Sequence, residues 1–142
     1  MEPQGFKVLI ADPDADLRVH LQRIIDAEAL KRNKRAEVRH ANDGATAMAI
    51  STDFEPSLIC TEILLSGSSG LQLLRFVRQW ENPPCVFFVS HMGRPADRHW
   101  GLRNGASAYL SKPVDEALFL DYVRKYLDDL ESLTIGQRQV KP

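Results

Sequence analysis

Four chemically active side chains follow four separate short runs of the sequence. Reading outward from each run, the first ends at Asp12, the next at Glu62, and the last two at Ser90 and at Lys112, which Pro113 follows. Carboxylates are ligands for hard cations such as Mg²⁺, whereas an ammonium group and a hydroxyl bind negatively charged oxygens. If the runs are parallel strands, these groups meet at the carboxyl edge of one sheet, where α/β proteins bind their ligands.

The elements that must position these groups alternate between strands and helices. The runs Val8–Ala11, Leu58–Cys60 and Val86–Val89 are continuously apolar, which is typical of central strands in a parallel sheet covered on both faces. The segment Glu37–Ala41 is more polar and Ser107–Leu110 is short, so both are predicted to be edge strands.

Five helices are predicted between and after these strands. In the first, Leu17, Leu21, Ile24 and Ile25 share one face, and Asp14 is the candidate N-cap. The others are predicted at about Gly44 to Asp53, at the apolar stripe Leu71, Leu74 and Val77, at about Pro95 to Arg103 and at about Asp115 to Leu133. Five βα units joined by right-handed crossovers form a three-layer α/β/α sandwich.

Length and composition favour a single domain whose net charge is close to zero. The chain has 142 residues, of which 44% are hydrophobic, and 18 basic side chains nearly balance 19 acidic ones. This size supports one hydrophobic core, and we predict a domain over residues 1–133 with a tail or linker at 134–142. Because the basic and acidic charges nearly cancel, no net electrostatic field favours binding to nucleic acid or a membrane. Cys60 and Cys85 lack metal-ligand spacing, and the sequence shows no signal peptide, so a reducing cytoplasm is expected.

The acidic and lysine positions occur together with three loop motifs. These are Asn42-Asp43-Gly44, Gly67-Ser68-Ser69-Gly70 and the segment Gly105–Pro113. Over about residues 6 to 130 this combination resembles the receiver domain of bacterial response regulators. The resemblance implies a chemotaxis-regulator-like, flavodoxin-like fold with strand order 2-1-3-4-5, a role in two-component phosphorelay signalling, and a bond before Pro113 that is commonly cis.

The resemblance also implies a role for each residue of the site. In that family an aspartate after strand three accepts a phosphoryl group, two acids after strand one hold Mg²⁺, a hydroxyl and a lysine contact the phosphoryl oxygens, and an aromatic side chain reports the state. By position, Glu62 matches the phosphoacceptor, Asp12 the first acid, Ser90 the hydroxyl, Lys112 the lysine and Tyr109 the aromatic switch residue.

Three departures from the family pattern weaken ordinary phosphotransfer. Pro13 replaces the second acid, so Asp12 is left with a weak or absent metal site, and Asp14 either substitutes in part or caps the first helix. Glu62 carries its carboxylate about 1.5 Å further than aspartate would, a displacement that can cost on the order of 10²-fold in rate. His91 stands where a small residue usually leaves the entrance open.

Two interpretations of Glu62 remain open. In one its carboxylate imitates the phosphorylated state and the chain is an atypical or pseudo-receiver; in the other it forms a structural ion pair with Lys112. A conventional Mg²⁺-dependent acceptor with slow phosphorylation is the alternative function. A nucleotide-binding enzyme is disfavoured because Ala11–Ala15 has no glycine-rich phosphate cradle.

The expected output is protein binding without a cofactor and without enzymatic activity. The resemblance implies contact with a protein partner, or with itself, through the face of helix 4, strand 5 and helix 5, and a tethered or separate output domain. Trp100 on helix 4 is either an interface anchor or a core residue. The basic segment Lys31–Arg35 with Arg39 is interpreted as a solvated helix end rather than a nucleic-acid site.

Overall fold

The computed structural model describes residues 4–140, with side chains described through residue 133. Strands and helices alternate along this part of the chain. They are β1 (Gln4–Ala11), α1 (Ala15–Lys31), β2 (Lys34–Ala41), α2 (Gly44–Phe54), β3 (Leu58–Thr61), α3 (Gly70–Val77), β4 (Cys85–Ser90), α4 (Pro95–Arg103), β5 (Ala108–Ser111) and α5 (Glu116–Val140).

The five strands form one parallel sheet in the order β2-β1-β3-β4-β5. This confirms the predicted three-layer α/β/α sandwich and its strand order. The register places Ala11 beside Thr61, Thr61 beside Phe88, and Ser90 beside Ser111. The ends of β1 and β3 are level with each other, and the ends of β4 and β5 lie two residues further along, so the residues that follow all four strands lie at one edge.

Alternation along the strands divides the core between the two faces of the sheet. Ile10 points to the layer of α1 and α5, where Leu21 and Phe119 are fully buried. Leu9 points to the layer that contains Leu73 of α3. Each such side chain contributes roughly 1.5–3 kcal/mol of hydrophobic free energy, so both faces stabilise the sheet that carries the site.

The helix starts follow the predicted capping chemistry. The Asp14 carboxylate accepts hydrogen bonds from the amides of Asp16 and Leu17 at 3.0 and 3.3 Å, which confirms its prediction as the cap of α1. Helix α4 has the predicted bounds, with a proline in its first turn.

The basic segment is divided between the end of α1 and the start of β2. Helix α1 ends at Lys31, and Lys34 already begins β2, which pairs with β1 over all eight residues. Arg32 contacts Glu28 at 2.9 Å and Asp128 of α5 at 2.7 Å. Lys31 and Arg32 therefore lie at the end of α1, as predicted, whereas Lys34, Arg35 and Arg39 belong to β2 and Arg32 is joined to α5 by an ion pair.

The buried face of α3 and the end of α5 also differ from the prediction. The inner face of α3 includes Leu73, which is fully buried, whereas Leu71 is only partly buried. Helix α5 continues to Val140 instead of ending near Leu133. A linker role for residues 134–142 stays a prediction, and positions 141 and 142 lie outside the described residues.

Within the described residues, no helix combines the length and the apolar character that crossing a membrane requires.

Candidate functional site

A lysine between two buried carboxylates forms the centre of the site. The Lys112 Nζ lies 2.7 Å from Asp12 Oδ2 and 3.1 Å from Glu62 Oε1. The side chains of Asp12 and Glu62 are only 4% and 3% exposed, and that of Lys112 is 10% exposed. The peptide bond between Lys112 and Pro113 is cis. The structure therefore brings together the acids and the lysine that sequence spacing predicted.

Both oxygens of Glu62 already have hydrogen-bond donors. Oε2 accepts from the amides of Ile63 at 2.6 Å and Leu64 at 3.2 Å. Oε1 receives Lys112 Nζ and, at 3.4 Å, the amide of His91. The longer side chain thus folds back over its own strand end and also reaches the loop after β4.

Both carboxylate oxygens of Asp12 also accept hydrogen bonds. Its Oδ1 accepts the amide of Asp14 at 2.8 Å, and its Oδ2 accepts Lys112 Nζ. Pro13 supplies no carboxylate, and the Asp14 carboxylate caps α1. Across residues 4–133 there is no group of three acidic, histidine or cysteine side chains arranged to hold a metal ion. Lys112 pairs with both Asp12 and Glu62, and Pro13 adds no carboxylate, so the site offers fewer free oxygen ligands than Mg²⁺ prefers.

Burial and pairing compete in setting the charges at this site. Burial disfavours the ionised Glu62 carboxylate, but hydrogen bonds from Ser90 and Lys112, the Leu64 amide and the lysine charge outweigh it, so its pKa lies below the ordinary 4.5. Burial likewise opposes the charge of Lys112, while its contacts with Asp12 and Glu62 raise its pKa above the ordinary 10.5. At neutral pH Glu62 is therefore an anion and Lys112 a cation.

This pairing predicts a loss of stability in acid that depends on Glu62. Because its pKa is lower in the folded chain, its contribution is present above pH 4.5 and is lost as the pH falls through the folded value. Urea unfolding of the wild type and of Glu62→Gln should converge as the pH is lowered, since protonated glutamic acid and glutamine are both neutral. A difference that stays constant down to about pH 3 would contradict a depressed pKa for this carboxyl.

A hydrogen-bonded loop connects the acid pocket to Tyr109. The Ser90 Oγ accepts the amide of Met92 at 3.2 Å, and the Tyr109 hydroxyl donates to the Met92 carbonyl. The Tyr109 ring is 2% exposed and packs against Phe88 with a centroid distance of 6.1 Å. A Cβ at Gly101 would lie 2.6 Å from this ring, so the glycine lets α4 pack closely over Tyr109.

A second network behind Asp12 escaped the sequence analysis. Arg18 donates from Nη1 to the Asp12 carbonyl and from Nε to His40 Nδ1 at 3.3 Å, and His40 Nε2 lies 2.6 Å from Gln22 Oε1. This pattern places the proton of a neutral His40 on Nε2. Burial first, and then the Arg18 charge, lower the pKa of His40. No local periodicity distinguishes these side chains, since their contacts depend on the pairing of β2 with β1.

The outer surface of the site is a cleft of about 450 Å³. Glu62 and Lys112 lie in its lining, and the exposed side chains of Leu64 and His91 border it. Leu64 is 61% exposed. His91 is thus placed at the entrance, as its position beside Ser90 predicted.

The face formed by α4, β5 and α5 exposes large apolar side chains. Trp100 is 38% exposed, Leu102 is 36% exposed and Leu118 of α5 is 39% exposed. Of the two interpretations of Trp100, the structure supports a surface position rather than the core. Arg98 of α4 donates to the carbonyl of Tyr109 at 3.1 Å, so this face is joined to Tyr109.

Comparison with known proteins matches most of the chain to one family. The sequence model of the response regulator receiver domain matches residues 8–124. The transcriptional regulatory protein CpxR of Klebsiella pneumoniae is 28% identical over 121 residues, which cover 85% of this chain and 49% of that protein. The response regulator PleD of Caulobacter vibrioides is 33% identical over 91 residues, covering 62% of this chain and 20% of that protein. The protein PilH of Pseudomonas aeruginosa is 29% identical over 93 residues, or 64% of this chain and 77% of PilH.

Solved structures of receiver domains share the fold. The receiver domain of the response regulator AraT from Geobacillus stearothermophilus aligns with a TM-score of 0.77 at 22% identity, covering 91% of this chain and 98% of that one. The receiver domain of NarL from Mycobacterium tuberculosis aligns with a TM-score of 0.72 at 24% identity, with the same coverage of both chains. The chain spans about half the length of CpxR and a fifth of that of PleD. The match over residues 8–124 shows that this chain belongs to the response regulator receiver domain family of two-component signalling.

Proposed function

We propose that this chain is an atypical receiver that works as a protein-interaction switch without phosphorylation, with Glu62 in place of the phosphoacceptor aspartate. The observation that carries this proposal is the complete occupation of the Glu62 carboxylate. Two backbone amides hold one of its oxygens, and Lys112 with the His91 amide holds the other.

An acceptor in this state is a poor nucleophile. Attack on a phosphoryl donor needs a free carboxylate oxygen aligned with the transferred group. Oε1 would have to leave Lys112, whose ammonium would then face Asp12 alone, and Oε2 would have to leave the amides of Ile63 and Leu64. Charge-assisted hydrogen bonds are about twice as strong as neutral ones, so this release is costly.

The same contacts favour imitation of a phosphoryl group over a purely structural ion pair. A structural pair requires only Lys112, yet Oε1 also meets the amide of His91 in the loop after β4. That loop contains Met92, which binds both Ser90 and the Tyr109 hydroxyl. A fixed negative charge at Glu62 is therefore connected to the buried position of Tyr109 by consecutive contacts.

The proposed switch needs neither Mg²⁺ nor catalysis by the chain. Both carboxylate oxygens of Asp12 already accept a hydrogen bond, and Pro13 adds no ligand. Lys112 supplies a positive charge between the two acids, and Arg18 adds a second one against the Asp12 backbone. Fixed side-chain cations would thus supply the local positive charge without a metal ion.

The output surface we propose is the face of α4, β5 and α5. It exposes Trp100 and Leu118 and is joined to Tyr109 through Arg98. Aromatic and arginine side chains are frequent anchors of interfaces. The partner is a tethered or separate protein, or a second copy, in the cytoplasm, and neither direct nucleic-acid binding nor membrane binding is part of this proposal. CpxR is a transcriptional regulatory protein of which the match covers 49%, so an output domain on the same polypeptide is one form of the partner.

Substituting glutamine for Glu62 should release Tyr109 while changing stability little. An amide has one acceptor oxygen, so it can serve either the Ile63 and Leu64 amides or the donors Lys112 and His91, but not both. Lys112 keeps its 2.7 Å contact with Asp12, so the loss of unfolding free energy should be about 1 kcal/mol. Aromatic NMR spectra, assigned with a Tyr109→Phe variant, should show increased mobility of the Tyr109 ring.

The exposed Glu37 of β2 provides a matched control, because Glu37→Gln makes the same chemical change away from the site. That variant should leave both the Tyr109 signals and the stability unchanged. A large loss of stability in Glu62→Gln with an unaltered Tyr109 ring would instead show that Glu62 serves only as a structural ion pair.

A further inference from the structure

A second concave surface lies at the end of the sheet opposite Glu62. It is a groove of about 790 Å³ between the segment before β3, the start of β4 and the second half of α5. Its apolar lining includes Phe76, Trp80, Tyr126 and Leu133. Phe76 and Trp80 form an edge-to-face pair with a centroid distance of 5.9 Å. The size and lining resemble those of ordinary binding pockets, which range over roughly 300–1,000 Å³.

The charges around this groove have one sign. Glu55, Glu81 and Asp129 are exposed carboxylates in its lining, and within the described residues no lysine, arginine or histidine lines it. Helix α2 ends beside it at Glu55, its C-cap, and the negative end of the helix dipole adds to the carboxylates. The groove therefore favours an occupant that combines an apolar anchor with cations.

Helix α4 carries a surface of that composition. Four exposed residues form one stripe along the helix, because the later three follow the first by three, four and seven positions. They are Ala96, His99, Trp100 and Arg103. The helix's only acid, Asp97, is buried and bound to Arg94 at 3.0 Å. We call these four exposed residues the α4 stripe; it presents an aromatic side chain beside the cationic Arg103 and no exposed carboxylate.

We propose that a second copy of this chain docks its α4 stripe in the groove. In this arrangement Trp100 packs against Trp80 and Phe76, while Arg103 meets the carboxylates of Glu81 and Asp129. Tryptophan and arginine are the side chains most often found at binding hot spots, and opposite charges steer such an encounter. The inference rests on the proposed role of α4 as a partner-binding surface, but not on the state of Glu62.

The two surfaces differ, so the association runs head to tail. After the first contact one copy keeps a free stripe and the other keeps a free groove, so oligomers grow with concentration instead of stopping at a symmetric dimer. Raising the salt concentration should weaken the association, because part of it depends on exposed charges. This behaviour separates the proposal from a symmetric contact through α4, β5 and α5.

Sedimentation equilibrium with complementary variants tests the proposal. The wild type should show an average mass that exceeds 16.0 kDa and rises with concentration. A stripe variant, Trp100→Ala, and a groove variant, Glu81→Lys with Asp129→Lys, should each associate about 30-fold more weakly, the effect of losing a hot-spot anchor. A one-to-one mixture of the two should form a complex of twice the monomer mass and grow no further, because only one intact stripe and one intact groove remain.

Matched controls exclude general effects of charge and hydrophobicity. Two control variants should associate as strongly as the wild type. The first reverses two exposed acidic charges outside the groove, Glu37→Lys with Asp26→Lys, and the second removes an exposed leucine of α1, Leu30→Ala. Circular dichroism establishes that each variant is folded. A wild type that stays monomeric at every concentration would overturn the inference. Dimers that require Trp100 but tolerate the groove variant would also overturn it, while leaving the proposed α4 partner surface intact.

Discussion

Replacing Lys112 with methionine should lower the free energy of unfolding by about 3–5 kcal/mol at neutral pH, the usual cost of removing one partner from a buried ion pair. The ammonium group contacts Asp12 at 2.7 Å and Glu62 at 3.1 Å, and both acids are almost fully buried. Without it, two neighbouring carboxylates remain with no compensating side-chain charge between them. Urea denaturation at pH 7 measures this loss, which should shrink in acid as Glu62 takes up a proton.

The exposed Lys125 of α5 provides the control for this substitution. Lys125→Met removes the same charge and adds the same side chain, but it should change the unfolding free energy by no more than about 0.5 kcal/mol. A change as small as this in Lys112→Met would mean that Lys112 does not hold the two carboxylates in the folded chain.

Restoring both missing features of a phosphoacceptor site should create one. In the double variant Pro13→Asp with Glu62→Asp, the shorter acceptor no longer reaches Lys112 and the His91 amide in the same way, and a second acid joins Asp12. Helix α1 keeps its cap because the capping side chain is Asp14. With Mg²⁺ and a small phosphodonor such as acetyl phosphate, the labelling rate should rise on the order of 10²-fold or more above that of the wild type.

The two single variants show how much each substitution contributes to the labelling rate. Glu62→Asp alone restores the length of the acceptor but not the second acid, and Pro13→Asp alone does the reverse, so each should gain much less than the pair. Removing Lys112 from the double variant should abolish the gain, since Lys112 would then be the contact for the phosphoryl oxygens. Equal labelling of the double variant and the wild type would show that neither departure limits phosphotransfer.

Local chemistry explains which parts of the fold could be predicted from the sequence. Helix α4 has the expected bounds because Pro95 fixes its first turn and Asn104-Gly105 ends it, and both signals act within a few residues. The central strands were recognised because burial on both faces demands continuous apolar runs. The meeting of Asp12, Glu62 and Lys112 followed from strand order, since parallel strands end at a common edge.

Contacts between distant segments explain what the sequence left out. The strand start at Lys34 depends on pairing with β1, and the ion pairs of Arg32 depend on the position of α5, so the basic segment gave no local sign of either. The Arg18 contacts with His40 and the Asp12 carbonyl likewise require β2 beside β1. The sequence also predicted that Glu62 would meet Lys112, but not that its other oxygen would fold back onto the Ile63 amide.

Intact-mass spectrometry of the unaltered chain, incubated with Mg²⁺ and a small phosphodonor, tests the central claim most directly. A carboxylate whose two oxygens are held by Lys112 and by backbone amides should gain no phosphoryl group, and the mass should stay that of the unmodified chain. A stoichiometric acyl phosphate on Glu62, formed rapidly and only with Mg²⁺, would contradict a phosphorylation-independent switch.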